Sequence, residues 1–241
     1  SIATNAFKGH SSCRYQSDLF IPNYVLEIGT EAFATLGNTT PSATFLADFT
    51  LTIGKNITLI DNKAFSSNRC FDEILFVDPN ATAPGLTIGS STTGGASDGV
   101  FNQCAFANFQ LPKRTIKLGA GAVSGCSALT ELSLPEGLTY IGNAAFSGTS
   151  SYKMNLRKLR IPSTVTEIGN DVMLLWMYPA PEEYKIYIPA TDMSDFTDRV
   201  KVGANAWRYN SSSGGVQYNT PSSPAMSFSF FTPGGAGDPG I

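Results

Sequence analysis

The chain has a single histidine, His10, and four cysteines, and His10 lies three residues before Cys13. Such a pair could support thiolate attack with the imidazole drawing the proton, but that chemistry needs a third group to orient the base. The stretch Lys-Gly-His-Ser-Ser-Cys offers none, so His10 and Cys13 read as structural residues. No G-x-S-x-G elbow, H-E-x-x-H helix or G-x-x-x-x-G-K-[ST] loop occurs. STTGGASDG, from Ser91, is rich in glycine but precedes no helical pattern, so it makes a poor phosphate cradle. Glu182 and Glu183 are adjacent and face apart on extended backbone, which denies them an acid–base partnership. Asp192, Asp195 and Asp198, spaced by three, line one face of a short helix and read as a solvated acidic face. No C-x-x-C spacing suggests zinc. The expectation is a protein without catalytic residues, metal or cofactor, and not an enzyme.

Composition narrows the partners. Of 241 residues, 42% are apolar and only 15% charged, with a net charge of −3. An apolar core is therefore available, while no basic footprint exists for nucleic acid or an anionic membrane. The longest apolar run, residues 172–178, is far short of the roughly 18 residues of a membrane-spanning helix. The surface takes its polarity from 25 Ser and 23 Thr rather than from Lys and Glu.

Two phrases recur along the chain. One is aliphatic-Gly-x-x-Ala-aromatic: IATNAF from Ile2, IGTEAF from Ile28, IDNKAF from Ile60, LGAGAV from Leu118, IGNAAF from Ile141, IGNDVM from Ile168 and VGANAW from Val202. A degenerate copy ends in Gly99-Val100-Phe101. The other has two apolar residues flanking a variable one, then Pro or Gly, ending at Pro22, Gly54, Gly89, Pro112, Pro135, Pro162 and Pro189. From Pro22, Gly54, Pro112, Pro135 and Pro162 the next phrase aliphatic lies six residues on, and from Gly89 the match is out by one. Successive Pro/Gly positions are 32, 35, 23, 23, 27 and 27 residues apart, which sets a unit of about 23 residues with insertions near 35–47 and 79–98. Leu-x-Ile alternation is a short strand with both apolar side chains on one side. Pro or Gly ends it, and Val25, Ile57, Leu138 and Val165 step by three to Ile28, Ile60, Ile141 and Ile168. One unit cannot bury its own apolar side, but stacked units can.

The pattern, clearest in LTELSLPEGLTYIGNAAF from Leu129 and LRKLRIPSTVTEIGNDVM from Leu156, resembles the BspA-like, treponemal-type leucine-rich repeats of surface proteins from anaerobic gut and oral bacteria. The resemblance covers roughly residues 2–207, and KIYIPATDMSDF from Lys185 is similar to the terminal unit of such arrays, a strand followed by a short helix. It implies a right-handed leucine-rich-repeat solenoid of seven to eight coils, mainly short parallel strands with little helix before residue 190. It also implies adhesion to host or cell-surface proteins from an extracellular or cell-surface location. The expected organisation is repeats over 1–189, a C-terminal cap over 190–210 and a Ser/Gly/Pro-rich tail over 211–241, whose one strand at Met226–Phe231 either packs on the last coil or serves as a linker or pairing element for something outside the chain.

The four cysteines, expected in one repeated slot just after the position of the Ala-Phe pair, read as small buried hydrophobes rather than disulfides. The sequence starts inside a repeat with no signal peptide, which leaves either a leader that has been removed or a truncated sequence. In every strand phrase the residue between the inward pair must point out, giving a ladder of Phe20, Thr52, Thr87, Gln110, Ser133, Arg160 and Tyr187. Asp18, Thr50, Gly85, Asn108, Glu131, Lys158 and Lys185 lie two residues earlier on the same face. Phe20, Gln110, Glu131, Ser133, Lys158, Arg160, Lys185 and Tyr187 are the candidate contact residues, with the Arg and Tyr at the C-terminal end matching hot-spot chemistry. The first function expected is a binding module. The second is a structural subunit that self-associates through an open first coil and a spare strand at Met226–Phe231.

Overall fold

A three-residue strand with one apolar face has no independent stability and needs a neighbour on each edge. In the computed structural model those neighbours are the equivalent strands of adjacent coils. The structure describes residues 1–9, 18–36, 49–68, 71–77, 84–149, 152–176, 184–210, 216–218, 226–235 and 237–239. One parallel sheet has the order β1 (Leu19–Ile21), β3 (Phe49–Ile53), β5 (Phe71–Phe76) and β7 (Asn108–Phe109). A second contains β9 (Glu131–Ser133), β11 (Lys158–Arg160), β14 (Tyr184–Ile188) and β18 (Met226–Phe230).

The apolar step by three builds the longest sheet. It comprises seven parallel strands: β2 (Glu27–Ile28), β4 (Leu59–Ile60), β6 (Leu86–Ile88), β8 (Thr115–Leu118), β10 (Tyr140–Ile141), β12 (Glu167–Ile168) and β15 (Lys201–Val202). Ile28, Ile60, Ile88, Leu118, Ile141, Ile168 and Val202 stand in one register, and Ile2 bridges to Ile28. A small sheet near the C-terminal end joins β13 (Met173–Trp176) in parallel to β16 (Trp207–Asn210), which pairs antiparallel with β17 (Val216–Tyr218). The one α-helix among the described residues, α1 (Met193–Arg199), is capped by the Asp192 carboxylate, which accepts from the Asp195 N–H at 2.9 Å, and it buries Phe196.

The Gly-x-x-Ala-aromatic phrase makes a turn whose backbone is laddered from coil to coil. The N–H groups of Phe33, Phe65, Phe101, Val123 and Phe146 donate to Ala64, Val100, Ala122, Ala145 and Val172 of the following coil, at 2.7 to 2.9 Å. Asn62, Asn143 and Asn170 extend this ladder with side-chain oxygens that accept from Ser91, Asn170 and Ala204 N–H groups. Beneath it the aromatic rings stack. Phe7, Phe33, Phe65 and Phe101 form a column with centroids 5.0, 5.2 and 5.6 Å apart.

Reversing the chain in four residues requires a left-handed residue at the fourth phrase position. Asn5, Glu31, Lys63, Ala144, Asp171 and Asn205 all have φ between 52° and 60° there, and only Gly121 is glycine. An alanine held left-handed costs about 1–2 kcal/mol, and glycine gives back about 0.5–1 kcal/mol of that through its freer unfolded chain. Ala144→Gly is therefore expected to stabilise by about 0.5 kcal/mol, and thermal unfolding should shift up by about 1–2 °C. No shift, or a lower midpoint, would show that the turn carries no strain at Ala144.

One strand assignment changes. LTIG occurs twice, and only Leu51-Thr52-Ile53-Gly54 is a strand phrase. Leu86-Thr87-Ile88 is β6 of the seven-stranded sheet, so Thr87 and Gly85 leave the outward ladder and β5 takes their place. The reason is where the extra residues sit. They split the turn phrase itself between Gly89 and Gly99, so the coil's aromatic, Phe101, arrives late. Among the described residues of the 79–98 stretch, 90–98 lies against neighbouring coils. Ala120 and Asn143 N–H groups donate to Ser91 and Thr92 carbonyls, the Asn102 amide donates to Ala96, and Lys63 pairs with Asp98. Residues 37–48 and 78–83, which hold most of the other insertion and the start of this one, lie outside the described residues.

Candidate functional site

The alternation of the strand phrases brings the outward side chains into rows, but into two rows rather than one. Phe20, Thr52 and Leu75 stand in register on β1, β3 and β5, with Gln110 just beyond β7. Phe20 is 52% and Leu75 45% exposed, two large apolar side chains flanking a threonine. Among the described residues nothing buries them, and the inward positions of the same strands (Ile21, Leu51, Ile53 and Ile74) already fill the core. Below that row lie Asp18, Thr50, Glu73 and Asn108, with the Asp18 carboxylate accepting from the Thr50 N–H at 3.0 Å.

The second row is Ser133, Arg160, Tyr187 and Ser229, and beside it run Glu131, Lys158, Lys185 and Ser227. Lys158 pairs with Glu131 across coils, and that carboxylate holds its ammonium above the ordinary lysine range. Lys185 sits 5.9 Å over the Tyr187 ring. Such exposed pairs define charge and shape more than stability.

Arg160 does not belong to an exposed ladder. It is 8% exposed, because the tail folds back over it. Its Nε donates to Asp238 Oδ1 at 2.8 Å and its Nη2 to Asp238 Oδ2 at 3.0 Å, while Nη1 donates to Glu136 at 3.1 Å. The Phe231 ring centroid lies 4.8 Å from the guanidinium carbon. The hydrogen bond to Asp238 comes first among the interactions that bind its proton more tightly than usual. The strand at Met226–Phe230 is not spare either. It pairs in parallel with β14 over five residues, and the Phe231 N–H donates to the Ile188 carbonyl at 3.0 Å. Association through a free tail strand is therefore corrected to an internal strand addition.

Breaking a fully buried ion pair costs about 3–5 kcal/mol. Here Glu136 remains and the rim is wet, so Asp238→Ala is expected to cost about 2 kcal/mol. Hydrogen exchange should then quicken at Ser227, Ser229 and Phe231, whose N–H groups face β14. Unchanged exchange would mean that β18 is held without the Arg160 clamp.

Among the described residues the thiols have no catalytic setting. Cys104 and Cys126 are buried, and their thiols donate to the carbonyls of Phe65 and Phe101 at 3.1 and 3.0 Å. Burial, then the neighbouring Cys104, pushes the Cys126 thiol well above its ordinary range, which disfavours a nucleophilic thiolate. They share the slot three residues after the aromatic position, held by Leu36 and Asn68 in earlier coils. His10, Cys13 and Cys70 lie outside the described residues. Asp195 is committed to the Thr191 N–H and to Arg199, in that order of effect, and both keep its carboxyl below the usual range. Among the described residues, no three His, Cys, Asp or Glu side chains are grouped to hold a metal ion, and no helix is long and apolar enough to cross a membrane.

Sequence reasoning missed two features. Leu75 was hidden because FDEILF lacks the terminal Pro or Gly, although Ile74 there occupies the inward leucine slot. The meeting of Arg160 with Asp238, 78 residues away, has no sequence signal. A family model described as BspA type leucine rich repeat region matches the chain in six copies, over residues 1–83 and 95–174. No curated protein and no solved structure matches it.

Proposed function

From a chain that belongs to the BspA type leucine rich repeat family, we propose a non-enzymatic binding module, exported or displayed at the cell surface, that holds host or cell-surface proteins by an adhesin-like contact. The observation that carries this reading is the row of Phe20, Thr52 and Leu75, a preformed apolar strip on a rigid sheet. Hot spots form where a few large side chains are desolvated together and ringed by polar groups. Gln110, Asn108, Glu73 and the Asp18–Thr50 pair supply such a ring, and the coil ladders pre-order it so that binding loses little conformational entropy. Ser133, Glu131, Lys158, Lys185 and Tyr187 continue the surface on the second sheet as its charged end.

The test is capture by the immobilised intact chain from extracellular and surface proteins of candidate host cells, followed by a measured Kd for the captured partner. Phe20→Ala combined with Leu75→Ala is expected to weaken it by about tenfold or more. A Kd within about twofold of the parent, with the fold intact, would remove this strip from the binding surface.

A further inference from the structure

The coil carrying β7 and β8 and the coil carrying β9 and β10 are neighbours, yet they touch on only part of their circumference. On the seven-stranded side they are in register, Lys117 beside Tyr140 and Leu118 beside Ile141. In the turns, the Val123 and Gly125 N–H groups donate to Ala145 and Ser147 at 2.9 Å. On the strand face, where every other consecutive pair of strands is bonded, β7 and β9 are not. No hydrogen bond crosses between residues 107–110 and 130–133. A notch of about 430 Å³ opens there, lined by four residues from each side, with the buried Phe109 and Leu132 among them.

The two sides of the notch are strand edges. Lys158 N–H donates to the Thr130 carbonyl at 3.1 Å and Leu134 N–H to the Arg160 carbonyl at 3.3 Å, so the residues flanking β9 direct these backbone groups toward β11. Alternation along a parallel strand then turns the N–H and C=O of Glu131 and Ser133 toward β7. Backbone groups in such a place seek partners, and a second chain's backbone supplies them in the right spacing. Asn108, Gln110, Thr130 and Ser133 give the rim neutral polar groups, and its one carboxylate, Glu131, is already paired with Lys158.

The geometry points to the notch between β7 and β9 as a site for an extended, uncharged peptide segment of a partner protein, bound by its main chain to the Glu131 and Ser133 edge and by one apolar side chain over Phe109 and Leu132. This deepens the binding-module reading and rests on it. The molecule itself contains a precedent for the mode. β18, a segment from beyond the repeats, adds in parallel to β14 of the same ladder with Phe228 and Phe230 packed against the core.

The test selects phage-displayed random dodecapeptides on the intact chain, then measures amide exchange with the best synthetic peptide. The Glu131 and Ser133 amides are expected to slow by about tenfold or more at saturation. Ser133→Pro, which removes one donor from the notch, is expected to weaken the peptide by about tenfold. Should that variant unfold, the exchange pattern of the parent protein decides alone. Protection confined to the surroundings of Phe20 and Leu75 would overturn the notch while leaving the binding module standing. Failure to select any peptide would also overturn it, and capture of protein partners would still judge the module separately.

Discussion

Phe65→Ala should lower the stability of the chain by about 4 kcal/mol, the upper part of the range for a large ring lost from a core. The ring is fully buried, with Phe33 at 5.2 Å on one side and Phe101 at 5.6 Å on the other. Its own backbone is committed as well: the N–H donates to Val100 and the carbonyl accepts from the Cys104 thiol. Collapse into the vacated space would require two coils to approach more closely than their backbone ladders allow, so most of the cavity would persist. In a stacked array each coil is stabilised by its two neighbours, so the damage reaches both sides. Urea unfolding measures it. A loss under about 1.5 kcal/mol would mean that the coils adjust freely and that the aromatic column is not what sets their spacing.

Gly142→Ala should cost about 3 kcal/mol for a different reason, overpacking rather than a void. A Cβ at this position would lie 2.5 Å from the carbonyl carbon of Gly119, 2.6 Å from Ala120 N and 2.8 Å from Gly119 O. All three are backbone atoms, which no rotamer change can move aside. The same slot meets the preceding coil at Gly203, 2.4 Å from Gly169 C, and at Gly29, 2.7 Å from Thr4 N. The third coil has Asp61 there, its carboxylate accepting from Thr30 and Ser90 hydroxyls and the Asn62 N–H. Burial opposes that charge, but the hydrogen bonds outweigh it and keep the Asp61 carboxyl below its usual range. Thermal unfolding of Gly142→Ala beside Gly95→Ala, where a Cβ would meet nothing within 4 Å and φ is −96°, would separate lack of space from the general effect of replacing glycine. Equal losses in the two variants would argue against close approach as the reason for Gly142.

Much of this architecture was legible because the stacking of coils repeats its demands in the sequence. The apolar step by three places Ile28, Ile60, Ile141 and Ile168 in one sheet as expected, and the Ala-aromatic pair marks Phe33, Phe65 and Phe146 as interior. The failures come from the same source. LTIG satisfies a strand phrase and the end of the apolar step equally well, since both need two inward aliphatics followed by a turn. Only the residues after it discriminate: Gly54 is followed by KNITLI and an aliphatic at the sixth position, Gly89 by SSTTGG and none. For the candidate surface, periodicity indicates which side chains point outward but not what lies over them. Arg160 does point outward, and the tail covers it through Asp238 and Phe231, a long-range contact that no spacing rule encodes. The apolar strip falls instead at Phe20 and Leu75, at the opposite end of the strand face from Arg160 and Tyr187.

Amide hydrogen exchange of the intact chain, alone and saturated with a captured surface protein, tests the proposed role most directly. A binding module that uses its strand face should show slowed exchange along β1, β3, β5 and β7, centred on Phe20, Thr52 and Leu75. Protection found only on the seven-stranded sheet, around Lys117, Tyr140 and Glu167, would place the partner on another face and contradict it.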